Sequence, residues 1–168
     1  MPGKCLLFFK RSCPNYFDDI QATQLSDNEI AEEFANRFQL KAGDLIKDAS
    51  SAANHLRAFL SDYARDVEHF IVIYLSSQNK VICSEAVASG TINSSAVYPR
   101  QIAIKVLEKE AANIILAHNH PSGETTPSNS DRAVTKKLQT ALSALDIEIL
   151  DHIIIGEDHY SFADEGIL

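Results

Sequence analysis

Cysteine is scarce in this chain of 168 residues, which has three cysteines and no tryptophan. The cysteines, at positions 5, 13 and 83, are too far apart and too few for the disulfide framework of a small secreted protein. They also lack the paired spacing of a cysteine-type zinc site. This scarcity favours a reducing compartment, and we predict a cytoplasmic protein.

Long hydrophobic runs are also absent, although 45% of the residues are hydrophobic. The apolar block nearest the start, residues 5–9, is too short for a signal-peptide core or a membrane span, so we expect no membrane association. Positive charge is in deficit, with a formal net charge of −8. Because nucleic-acid binding depends on neutralising phosphates, we do not expect this chain to bind nucleic acid directly.

The length fits one domain plus an extension, which we place at residues 46–168 and 1–45. Within the extension, Ser26 and Glu29 precede apolar residues at helical spacing and predict one short, capped helix. Residues 1–24 fit either a strand and loop or an arm that lies on a partner.

The most informative segment contains two histidines, His118 and His120. They follow the apolar stretch 111–117 and precede the turn residues 121–123, a pattern that predicts a buried strand ending in a loop. Strand side chains alternate between faces, so both imidazoles would project from one side and Asn119 from the other. A helix would instead separate the two histidines by about 200°.

A carboxylate follows at Asp131, in the predicted first turn of a helix with apolar residues at helical spacing. The helix dipole favours an anion at that position. Two imidazoles and one carboxylate supply three of the four ligands of tetrahedral zinc, and an open fourth position distinguishes catalytic from structural sites. We therefore predict a zinc site at His118, His120 and Asp131.

Each part of this pattern also has a structural interpretation. Ser128 and Asp131 fit a helix capping box, a histidine at a strand end is often a hydrogen-bonded surface residue, and residues 119–123 fit a turn. One metal site accounts for the whole set, whereas the structural interpretations must all hold independently. We favour the metal site.

Residues 118–131 resemble the signature of the JAMM (MPN-type) metalloproteases, His-x-His-x7-Ser-x-x-Asp, and the wording His-Asn-His-Pro-Ser-Gly is similar to that of the bacterial RadC branch. The resemblance covers about residues 52–168 and includes the stretches 90–93, 97–100 and 151–156. It implies an α/β fold: an αβα mixed-sheet JAMM/MPN domain, similar to cytidine deaminases, after a short N-terminal extension. Full-length RadC proteins resemble one another in a helical N-terminal domain likened to DNA-binding modules, and we expect this chain to be a short form without all of it.

The resemblance implies a zinc hydrolase with His118, His120 and Asp131 as ligands. JAMM enzymes place a glutamate before the first core strand as the general base, and Glu68, just before the apolar run 70–75, matches that position. Glu85, one strand later, is the alternative, and spacing alone does not choose between them. The Ser128 hydroxyl would stabilise the oxyanion.

The predicted function is therefore amide hydrolysis by a zinc-dependent metalloprotease or isopeptidase, with a peptide or protein as substrate. The alternative is a non-catalytic or DNA-repair-associated accessory protein in which the metal is structural. The sequence leaves the substrate's identity and the oligomeric state open.

The remaining pattern predicts the elements around the site. A helix with Leu56, Phe59, Leu60 and Tyr63 on one face leads to Glu68, and residues 76–80 form a hairpin turn. Pro99 starts a helix with Ala103, Val106, Leu107 and Ala111 on one face. Strands follow at 147–155 and 160–162, where His152 fits a structural hydrogen-bonding pair with Asp151 rather than a ligand.

Overall fold

The structure is a computed structural model and describes residues 26–90 and 97–168. The residues predicted as a strand and loop or as an arm, the apolar block at 5–9, and Thr91–Asn93 of the family-like stretch at 90–93 lie outside the described residues. A mixed sheet forms the centre, with strand order β2-β1-β3-β4-β5. The strands are β1 (His69–Leu75), β2 (Val81–Ser89), β3 (Asn113–Asn119), β4 (Glu148–Ile155) and β5 (His159–Ser161). The β3–β4 pair is parallel and the other pairs are antiparallel.

The helices are α1 (Asp27–Phe38), α2 (Ala49–Leu60), α3 (Pro99–Glu108) and α4 (Asn129–Ser143). Alternate residues of β1 face opposite layers: Phe70 and Val72 pack with α3 and α4, while Ile71 and Ile73 pack with α2. Because helices cover both faces, every residue of β1 is buried. This is the predicted αβα mixed-sheet fold, and the predicted hairpin between β1 and β2 is also confirmed.

Two helix predictions need correction. The helix before β1 ends at Leu60, so Tyr63 lies beyond it, although Tyr63 still stacks on Phe59 with ring centroids 5.3 Å apart. On α3 the buried residues are Ile102 and Val106, whereas Leu107 is 60% exposed. Ala111 falls after the end of α3, where the chain turns into β3. A short amphipathic helix tolerates an exposed leucine, so the pattern alone misassigned the buried face.

The longest helix among the described residues is α4, with 15 residues. None of the helices in this part of the chain has the length and apolar character needed to cross a membrane.

Candidate metal centre

The two histidines of the motif lie where the central strand β3 ends. His118 is within the strand and buried, and His120 follows it by one residue beyond the end. The backbone N–H of His120 donates to the carbonyl of Ile155 at 2.8 Å, which continues the contact with β4 past the last strand residue. Alternation therefore holds through His120, and both imidazoles project from one side of the strand, as predicted. That side is the face covered by α3 and α4.

Glu68 reaches the same face through the pairing of β1 with β3. Phe70 is opposite His118, and Glu68 precedes Phe70 by two residues, so its side chain projects to the same side. Glu68 Oε1 lies 3.9 Å from His118 Nε2, with the Glu68 side chain 19% exposed. The glutamate expected before the first core strand thus borders the histidines.

Asn119 points away from the two histidines, as predicted, and binds the backbone on both sides of Glu68. Its amide oxygen accepts from the N–H of His69 at 2.8 Å, and its amide nitrogen donates to the carbonyl of Val67 at 2.9 Å. These two bonds extend the β1–β3 contact beyond the last backbone pair, Phe70 with His118. The middle residue of the motif therefore holds the segment that carries Glu68.

Asp131 arrives at the N-terminus of α4, at its third residue. Ser128 is the N-cap: its hydroxyl accepts from the Asp131 N–H at 3.1 Å, and its own N–H donates to Asp131 Oδ2 at 2.7 Å. The capping box proposed as an alternative is therefore present. It coexists with the cluster, because it holds the Asp131 carboxylate in place facing the histidines.

One ligand atom from each of Glu68, His118, His120 and Asp131 lies within 4.8 Å of the others. Three of these residues are the tightest set. His118 Nε2 is 3.0 Å from His120 Nε2 and 3.3 Å from Asp131 Oδ1, and His120 Nε2 is 3.7 Å from Asp131 Oδ2. In a zinc tetrahedron with bonds of about 2.0–2.1 Å, neighbouring ligand atoms are about 3.3–3.4 Å apart. The three distances are close to that value, and the two histidines approach different oxygens of the Asp131 carboxylate.

The protonation of His120 also fits a cation. His120 Nδ1 lies 2.6 Å from the carbonyl oxygen of Glu124, which can only accept, so Nδ1 carries the proton. The other nitrogen, Nε2, therefore faces His118 and the Asp131 carboxylate. A cation placed among these atoms would be bound by two imidazole nitrogens and one carboxylate. The donor set therefore fits a metal ion.

The surroundings of Asp131 favour its ionised form. Burial by itself raises the pKa of its carboxyl, but the His118 ring that faces it and the hydrogen bonds of Ser128 outweigh that effect and hold the pKa well below its usual range. The carboxylate is therefore ionised at neutral pH, as a metal ligand must be.

Glu85, the alternative base, is engaged elsewhere. Its carboxylate forms ion pairs with Lys105 and Lys109 at the end of α3, and it is absent from the metal-type cluster found among the described residues. Glu68, by contrast, belongs to that cluster. These positions favour Glu68 over Glu85.

His152 is the neighbour that the sequence pattern did not identify. Its main-chain N–H bonds Asp151 at 2.7 Å, but its ring points to the opposite face and lies 2.9 Å from His118 Nδ1. The expected pairing with Asp151 is therefore made by the His152 main-chain N–H and the Asp151 carboxylate, and not by the His152 ring. Adjacent strand residues face opposite sides, so the two side chains do not meet. Burial lowers the pKa of His152 well below its ordinary value. His152 could have been identified only from its place in β4, the strand that pairs with the histidine strand β3. That inference needs the order of the strands in the sheet.

A groove of about 810 Å³ reaches the cluster at one residue, His120. It is bordered on one side by His120 and Gly123, and on the other by apolar and basic residues of α1, α2 and the segment that follows α2, among them Phe34, Arg57 and Arg65. The loop after the histidines therefore lines this groove.

A family model described as the RadC-like JAB domain matches residues 46–167. The chain belongs to the RadC-like JAB domain family. The JAB domain is a JAMM/MPN-type fold, which agrees with the mixed sheet and its helix layers. The resemblance seen in the histidine motif is thereby confirmed for the family and for the fold.

Curated relatives match across most of the chain. A UPF0758 protein of Vibrio cholerae is 40% identical over 146 residues, covering 84% of this chain and 90% of the relative. One of Shewanella pealeana is 39% identical over 153 residues, covering 89% and 67%. One of Photobacterium profundum is 44% identical over 130 residues, covering 77% and 57%. The name UPF0758 states no activity, whereas the JAB/MPN-domain family suggests a possible hydrolase.

Proposed function

We propose that this RadC-like protein is a zinc-dependent metallohydrolase that cleaves amide or isopeptide bonds in a peptide or protein. The supporting observation is the geometry of the cluster. His118, His120 and Asp131 have the mutual spacing of three tetrahedral ligands, while Glu68 stands slightly farther out, 3.9 Å from His118 Nε2. That arrangement leaves one ligand position open and a carboxylate beside it, as in catalytic rather than structural zinc sites.

When bound, zinc would polarise the substrate carbonyl and lower the pKa of a coordinated water to about 7. Glu68 would take the proton from the attacking water and later deliver it to the leaving amine. The two hydrogen bonds of the Asn119 side chain, which we call the Asn119 clamp, support this role because they fix the backbone on both sides of Glu68. A base held in position contributes more than a mobile one, since proton transfer needs hydrogen-bond reach.

Ser128 would donate a hydrogen bond to the oxyanion of the tetrahedral intermediate. Its side-chain oxygen accepts the Asp131 N–H, and the residue is exposed at the start of α4. An exposed hydroxyl fixed by one accepted bond can turn its own proton toward a substrate. Loss of one oxyanion donor commonly lowers turnover by about 100- to 1000-fold.

The wider setting follows from the same proposal. The groove beside His120 supports an extended peptide segment as substrate. We propose residues 46–168 as the catalytic domain. We also propose that the protein is cytoplasmic and does not contact nucleic acid directly. The alternative is an accessory protein whose metal only stabilises the fold.

The test combines metal analysis with peptidase assays on Glu68→Gln. Elemental analysis should find about one zinc ion per chain in both wild type and variant, because Glu68 is outside the three-ligand set. Wild type should cleave a fluorogenic peptide library or a panel of isopeptide-linked peptides. The variant should be about 100- to 10,000-fold slower, the usual contribution of a general base.

The control for the base is Glu85→Gln, which removes a carboxylate of the same kind that is bound to lysines, and its rate should stay near wild type. Ser128→Ala should lose about 100-fold in rate, while Ser26→Ala, at the matching capping box of α1, should lose none. A wild type that holds zinc and cleaves no substrate in either panel would favour the accessory protein.

A further inference from the structure

The His118 ring has two sides with different surroundings. Its Nε2 faces the cluster, and its Nδ1 faces the interior, 2.9 Å from His152 Nε2. His152 is fully buried, with its ring centroid 5.6 Å from that of Phe70 and 4.8 Å from that of Phe162. The proposed chemistry makes no use of this buried imidazole.

Thr135 determines which nitrogen of His152 carries the proton. The Thr135 hydroxyl lies 2.6 Å from the backbone carbonyl oxygen of Asp131 and 2.6 Å from His152 Nδ1. A carbonyl oxygen can only accept, so the single hydroxyl proton goes to Asp131. The hydroxyl oxygen must therefore accept from His152, whose Nδ1 is the protonated nitrogen.

The direction of the next bond follows from the first. Burial between aromatic rings disfavours a charged imidazole, so His152 Nε2 is unprotonated and accepts. The proton between the two histidines then belongs to His118 Nδ1. With that proton fixed on the interior side, the lone pair of His118 Nε2 faces the cluster, which is the tautomer a metal ligand requires.

We propose that His152 and Thr135 are positioning residues for the metal centre, which hold His118 with Nε2 toward the cluster and join its ring to the helix that carries Asp131. Thr135 lies one turn after Asp131 on α4, so the connection runs from one ligand to another through the interior. The assignment to a metal rests on the proposed function. The proton order itself rests on the hydrogen bonds and on the burial of His152.

Zinc affinity tests the connection through Thr135. Competition with a chromophoric chelator should show that Thr135→Val, which keeps the shape and loses the hydroxyl, binds zinc at least about 10-fold more weakly. Thr135→Ser should bind zinc with an affinity within about twofold of wild type, since serine keeps the hydroxyl oxygen that accepts from His152. Thr140→Val is the matched control, because Thr140 makes the same backbone bond, to Lys136, on an exposed part of α4.

Tautomers are read directly from long-range ¹H–¹⁵N spectra of the wild-type protein, without any substitution. We expect His152 to be protonated at Nδ1 and bare at Nε2, and His118 to carry a proton at Nδ1. His152 protonated at Nε2, or undiminished zinc affinity in folded Thr135→Val, would overturn the proposal. A wild type that binds no zinc would remove the proposed function, and the tautomer of His152 would still decide the proton order.

Discussion

Asn119→Ala removes the two hydrogen bonds that hold the backbone on both sides of Glu68. A typical internal hydrogen bond contributes about 0.5–1.5 kcal/mol net, so the free energy of unfolding should fall by about 1–3 kcal/mol. None of the three proposed ligands changes, and zinc affinity should therefore stay near wild type. Turnover should fall by about 100-fold, since a misplaced base loses its reach to the water.

The assays separate these effects. Urea unfolding gives the stability change, and hydrogen exchange at the His69 amide reports the lost bond itself, because that N–H donates to Asn119. The matched control is Asn113→Ala, at the far end of the same strand, where the amide donates to Asn79. It should cost about 0.5–1.5 kcal/mol and leave exchange at His69 and turnover unchanged. An unfolding free energy within about 0.5 kcal/mol of wild type in Asn119→Ala, with unaltered exchange at His69, would refute the clamp.

Further predictions concern metal, pH and the loop beside the cluster. Zinc at about 100 times its dissociation constant should add about 2.7 kcal/mol to the free energy of unfolding and raise the melting temperature by roughly 5–10 °C. Either His120→Ala or a chelator should abolish that rise. A rise that persists in His120→Ala would show that the metal binds elsewhere. Burial lowers the pKa of His55 from 6.5 to about 4, so the folded state binds fewer protons than the unfolded state and stability should fall as pH drops from about 6.5 to about 4. His55→Gln should remove up to roughly 3 kcal/mol of that decline in denaturation measured across the range, and an unchanged slope would contradict the assignment. In Gly156→Ala the added Cβ would collide with the Gly123 carbonyl and displace the loop that orients His120, so zinc affinity in chelator competition should fall by about 10-fold or more, whereas wild-type affinity would show that the loop yields without cost.

Much of the site could be anticipated because the relevant spacing is local. His118 and His120 share a face through strand alternation, and Asp131 follows from a helix start that Ser128 marks, so one segment of the chain contains all three proposed ligands. The buried face of α3 could not be assigned in the same way. Ile102 and Leu107 are both apolar, and only the position of the sheet decides which of them is covered.

The choice between Glu68 and Glu85 shows the limit of local spacing. Glu68 immediately precedes β1 and Glu85 lies within β2, so Glu85 is nearer the histidines in sequence. In the sheet, however, β1 pairs with the histidine strand β3, while β2 is at the edge. The family resemblance pointed to Glu68, and the register of Phe70 with His118 gives the physical reason for its position. Glu85 faces the lysines of α3 instead.

The donor types of this protein, the strand and helix that present them, and its family can all be recognised from the amino-acid pattern. Those features depend on periodicities of two and about 3.6 residues, which are set by the backbone. The distant residues that approach His118 are set by the tertiary fold. Glu68 immediately precedes β1 and His152 lies in β4, the two strands on either side of β3. Their approach depends on strand order and register, which no local period encodes.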